Sequence, residues 1–210
     1  MIFIIIFMEI GNLFINKLSN QDFFIEKKEH RLFDILLQSF QLPNVDKFYA
    51  NTCCSLEEYL NCNTFSITMA NQFLNDIYNQ LQIFEENYLS IISINLNDVL
   101  VIDDQFYFCN INKLCYFDNK TELMKISSYY DKSCRFLCPE LKNNNKLPFI
   151  LHKNSFFYNL ALVLFYCIKK TNPIFLDYSN EEILEYFQYT KFYYTMFYLY
   201  QDQNRQFIIF

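Results

Sequence analysis

The chain has 210 residues, 52% of them hydrophobic and 20% aromatic, which suits one domain with a substantial core and is far above what a disordered chain carries, so the polar Asn-rich stretches read as loops. A net charge of −6 without a basic stripe argues against nucleic acid as a partner, because phosphate backbones are bound by clustered Lys and Arg. The only glycine, Gly11, cannot supply a Walker phosphate loop, a dinucleotide fingerprint, a nucleophile elbow or a kinase glycine-rich loop, each of which needs Gly at several positions.

The surplus of Asn, Ile, Phe, Tyr and Lys with no Trp is the mark of an AT-rich genome, so part of the composition carries no functional signal. Met1 to Met8 is apolar, without a basic leader and too short to span a bilayer; it reads as a buried strand. Lys27, Lys28 and Glu29 read as solvated charges. The eight cysteines, at 53, 54, 62, 109, 115, 134, 138 and 167, form no pair of CxxC motifs, and neither His30 nor His152 stands beside Cys134 and Cys138. Free thiols in a reducing, intracellular compartment are the expectation.

Between Phe65 and Leu89, the apolar residues Met69, Phe73, Ile77, Leu81, Phe84 and Tyr88 recur at three- or four-residue spacing, which predicts a long amphipathic helix capped by Ser66. Val99 to Ile102 and Phe106 to Cys109 predict a hairpin closed by Asp103-Asp104-Gln105. Residues 110–146 are irregular and polar and predict mostly loop. The run 156–168 is too short to cross a bilayer and predicts a helix buried on all sides, and further helices are expected over 180–189 and 191–200. No internal repeat is present. The order predicts a mixed α+β domain in which helices dominate.

That order resembles the large lobe of the eukaryotic protein kinase family, and several segments fit it in register. Arg135-Phe136-Leu137-Cys138-Pro139-Glu140 resembles the Ala-Pro-Glu motif that closes the activation segment, and Ser155-Phe156-Phe157-Tyr158-Asn159-Leu160-Ala161 resembles the start of the buried helix that follows. Ile91-Ile92-Ser93-Ile94-Asn95-Leu96-Asn97-Asp98 falls where His-Arg-Asp-Leu-x-x-x-Asn belongs, and Asn110-Ile111-Asn112 where Asp-Phe-Gly belongs. Asp202-Gln203-Asn204-Arg205 is similar to the segment whose arginine pairs with the Ala-Pro-Glu glutamate. Leu42 to Tyr49 resembles the turn and strand after the kinase C helix, and Ser55 to Leu60 the helix after the hinge. The five residues between them imply a truncated small lobe over 1–54 and a large-lobe-like domain over 55–210.

The resemblance also implies lost chemistry. Ser93 stands where the proton-accepting Asp belongs and Asn95 where a lysine would hold the transferred phosphate; general-base help alone is worth about 100- to 10,000-fold. Ile92 replaces the arginine that grips an activation-loop phosphate, Phe156 the Asp that orders the catalytic-loop backbone, and Lys27 or Lys28 with Glu29 would be the ATP-anchoring pair. Thr121, Ser127, Ser128, Tyr129 and Tyr130 then read as ordinary loop residues. Asp98 and Asn110 exchange the amide and carboxylate of the two metal-ligand positions, which leaves a Mg²⁺ site open against simple drift at two solvent-facing positions. Pro139, Glu140 and Arg205 are scaffold residues, with Glu140 and Arg205 expected to pair.

The implied function is a catalytically impaired, pseudokinase-like module that binds a protein, an active kinase among the candidates, with weak Mg-ATP binding at most and no membrane span. One alternative is a divergent active serine/threonine kinase using Asp98 with Asp103 or Asp104, although those two read more simply as hairpin-turn residues. The other is a helical interaction protein unrelated to kinases.

Overall fold

The computed structural model describes residues 6–170 apart from 19, 20, 27, 43–46, 129, 131, 133 and 145; the expected helices over 180–189 and 191–200, with Arg205, lie outside the described residues. The fold is mixed α and β. It opens with strands β1 (Ile6–Ile10), β2 (Leu13–Lys17) and β3 (Asp22–Ile25), then helix α1 (Arg31–Ser39) and strand β4 (Lys47–Tyr49). The four strands form one antiparallel sheet in the order β1-β2-β3-β4. Period-two alternation buries Leu13, Ile15, Phe23 and Ile25 on one face, and Phe33, Leu36 and Leu37 of α1 join the same core.

Strand β5 (Cys53–Ser55) runs straight into helix α2 (Leu56–Cys62), so the residue 54/55 boundary anticipated between lobes falls inside a strand. Ser55 and Glu58 form a reciprocal capping box that fixes the start of α2. Helix α3 (Ile67–Glu86) is the long helix anticipated, and Ser66 caps it by accepting from the Met69 N–H. It ends three residues earlier than its apolar stripe suggested, and Tyr88 lies exposed beyond it in the left-handed region (φ 58°).

The predicted hairpin is present as β7 (Val99–Ile102) and β8 (Gln105–Phe108), joined by Asp103 and Asp104, both with positive φ as a primed two-residue turn requires. Strand β5 pairs with β7 to complete a three-stranded sheet. Helix α3 covers the outer edge of β8 with side chains rather than with another strand. The Phe106 N–H donates to Asp76 (2.9 Å), and the Phe108 N–H to buried Gln80 (2.6 Å), whose amide also donates to Ser39 Oγ (2.8 Å) at the end of α1. Asp76 and Gln80 are four residues apart, on one helix face, as this task demands. Burial raises the Asp76 pKa, and the bonds from Phe106 and Gln72 partly offset it.

Residues 110–146 are more ordered than their polarity predicted. Strand β9 (Leu114–Tyr116) pairs with β6 (Leu89–Ile91), and β10 (Leu123–Ile126) pairs with β11 (Phe149–His152). These strands of three or four residues exist because a partner lies alongside, and so short a run carries no periodicity that a sequence reading can detect. Helix α4 (Pro139–Asn143) starts with Pro139 at its first position, where the missing N–H costs nothing. Helix α5 (Ser155–Lys169) buries Phe156, Asn159, Leu160, Val163, Leu164 and Cys167. Among the described residues it is not covered on every side, since Tyr158 is 38% exposed. No helix among the described residues is long and apolar enough to cross a membrane.

Candidate functional site

Two 3₁₀ turns, Leu96–Asp98 and Ile111–Lys113, bring four polar side chains together. With three residues per turn, positions i and i+3 share a face, which places Asn95 and Asp98 on one side of the first turn and Asn110 and Lys113 on one side of the second. The hairpin β7–β8 holds the two turns side by side, and the Cys109 N–H donates to the Asp98 carbonyl at 2.8 Å.

Asp98 is the centre of the cluster and is 4% exposed. Its Oδ1 accepts from Asn110 Nδ2 (2.6 Å), and its Oδ2 accepts from the Asn95 N–H (2.7 Å) and from Lys113 Nζ (2.5 Å). Asn110 Oδ1 faces away from Asp98 and accepts from the Asn112 N–H (3.2 Å). The exchanged pair Asp98 and Asn110 is therefore in direct contact, and Asp98 is buried rather than solvent-facing. Asn95 spends its side chain on capping, accepting from the Leu96 N–H at 2.9 Å. Ser93 is buried, with 3% exposure.

The β1–β2 connection closes over this cluster. Gly11 and Asn12 are its whole length, and Gly11 sits at φ +59°, where glycine is favoured. The Gly11 N–H donates to the Asn97 carbonyl (2.8 Å) and the Asn12 N–H to the Cys109 carbonyl (3.2 Å), while Asn12 Oδ1 accepts from the Asn112 N–H (3.2 Å). Lys28 donates to the Asn12 carbonyl (3.0 Å) and lies over the Phe14 ring, whereas Glu29 is exposed. The Cys109 thiol, 3.3 Å from the Ile10 carbonyl and 3.2 Å from that of Asp98, is buried beneath, and burial pushes its pKa well up.

Beside the turn lies a cleft of about 670 Å³ whose lining includes Glu9, Glu57, Glu58, Asn97 and Asp98. Its charged lining is entirely acidic. Asp103 and Asp104 do not line it: Asp103 accepts from the Asn51 and Thr52 N–H groups (2.8 Å each), and Asp104 accepts from the Tyr59 hydroxyl (2.6 Å). The structure thus keeps both in the turn role and away from Asp98.

Of the scaffold residues, Pro139 opens α4 and Glu140 is half-buried in its first turn; Arg205 lies outside the described residues. Phe156 is buried among apolar side chains, and one turn later Asn159, fully buried, donates its Nδ2 to the Ile92 carbonyl at 3.0 Å. Sequence reasoning passed over Asn159 and Lys113. The signal available for Asn159 was an amide inside an otherwise apolar helical run, three beyond Phe156; for Lys113 it was only the cation three beyond Asn110 in a polar stretch. Among the described residues no group of three or more His, Cys, Asp or Glu is arranged to hold a metal ion.

No protein-family model matches the chain, and no curated protein matches it in sequence.

Proposed function

We propose that this protein is a kinase-like scaffold that does not transfer phosphate and acts as a protein-binding or regulatory module. The order of elements supports the kinase-like part. A helix inserted between the third and fourth strands of a sheet is followed by a long helix, a short strand, a polar loop, a hairpin, a strand pairing back to β6, and a helix on Cys138-Pro139-Glu140 before the apolar α5. This is the sequence in which the kinase-resembling segments occur along the chain.

The observation that carries the loss of catalysis is the docking of the Gly11-Asn12 turn on Asn97 and Cys109. In active kinases the corresponding connection is a longer glycine-rich loop whose backbone covers the nucleotide phosphates. Here a two-residue turn makes those backbone contacts with the protein itself. Phosphoryl transfer depends on positioning and on neutralising a polyphosphate, and the adjoining cleft offers Glu9, Glu57 and Glu58 instead of cations. Buried Ser93 offers no effective base.

The test is thermal denaturation with and without Mg-ATP, alongside an autophosphorylation assay. A site filled to a hundredfold its Kd would stabilise the fold by about 2.7 kcal/mol. No shift and no transferred phosphate are expected. A Tm rise with Mg-ATP that Asp98→Asn abolishes, or phosphate transfer by the intact protein, overturns the proposal.

A further inference from the structure

We infer that Lys113 is a built-in cation, its ammonium neutralising Asp98 where a divalent metal ion would otherwise be required. A carboxylate this buried needs a compensating positive charge, and the structure supplies it at 2.5 Å from within the chain. Lys113 is held in place at its backbone as well: its N–H donates to the Asn110 carbonyl (3.1 Å) and its carbonyl accepts from the Ile92 N–H (2.8 Å). The ammonium is thus delivered to Asp98 by a turn anchored to the loop that carries Asp98.

The residues present do not fit a divalent ion. Mg²⁺ demands oxygen ligands at about 2.0–2.1 Å in near-octahedral array. Around Asp98 the neighbours are donors: Asn110 Nδ2 on one oxygen, and the Asn95 N–H with Lys113 Nζ on the other. The Asn110 amide cannot simply be turned round, because its oxygen is already engaged by the Asn112 N–H. An ion placed on Asp98 would meet N–H groups and a like charge.

The inference deepens the non-catalytic reading of the cleft, and the two fail separately: nucleotide binding or phosphate transfer overturns that reading, whereas metal binding without nucleotide bears on Lys113. The first measurement uses the intact wild-type protein. Under limited acylation read by mass spectrometry, Lys113 is modified about 10-fold more slowly than exposed Lys120 and Lys125, and millimolar MnCl₂ leaves its rate unchanged. The second compares Mn²⁺ binding, without nucleotide, by wild type and Lys113→Met, using the signal of free Mn²⁺. The variant gains an affinity at least about 10-fold above wild type, and adding Asp98→Asn removes the gain. Faster acylation of wild-type Lys113 in MnCl₂, or equal Mn²⁺ binding by folded wild type and Lys113→Met at any level, overturns the inference. If Lys113→Met does not fold, the acylation result decides alone.

Discussion

Gly11 stands so close to Cys109 that a Cβ on the glycine would lie 2.8 Å from the Cys109 carbonyl oxygen and 3.0 Å from its sulfur. The neighbour is backbone, which cannot rotate away as a flexible side chain would. The closeness fixes how the first hairpin meets the polar cluster, since the same turn carries the bonds to Asn97 and Cys109.

Gly11→Ala therefore combines a left-handed conformation unsuited to an L side chain with a collision against a carbonyl. The expected loss is about 2–3 kcal/mol of unfolding free energy, read as a lower urea midpoint at unchanged slope. A variant as stable as wild type would show that the turn does not sit on Cys109.

Gln80→Leu keeps the volume of a buried side chain but removes the acceptor that the Phe108 N–H uses, together with the donor to Ser39. Leaving a buried amide without a partner costs about 1–3 kcal/mol. The expected signature is a stability loss of about 2 kcal/mol with faster hydrogen exchange at the Phe108 amide. Exchange at wild-type rate would mean that another group satisfies this edge of β8.

Thiol reactivity follows burial. Burial pushes the Cys53 and Cys138 thiols up to about 12 and Cys54 to about 11, so in the native protein at mildly alkaline pH each is protonated and a poor nucleophile. Cys62 is exposed, and Cys109, Cys134 and Cys167 are buried. Iodoacetamide is expected to modify Cys62 first in the folded protein and all eight cysteines after denaturation. Rapid native modification of Cys109 would contradict the closed turn above it.

Local chemistry was legible in the sequence by itself. The stripe from Met69 to Phe84 with its Ser66 cap, the β7–β8 hairpin with its aspartate turn, and the apolar run of α5 all signal within a window of a few residues. The resemblance singled out Asp98 and Asn110 only as two candidate metal-ligand positions; that they are in direct contact, with Asp98 buried, is a tertiary fact. Only the tertiary structure decided that β9, β10 and β11 exist, because strands this short are stabilised by a partner and not by their own pattern. It alone decided what surrounds Asp98. The cation on it comes from Lys113, the amide bonded to the Ile92 carbonyl comes from Asn159 in α5, and the turn that covers the cluster comes from the first hairpin. Burial makes each of these polar groups require a partner, while chain topology determines which residue can reach it.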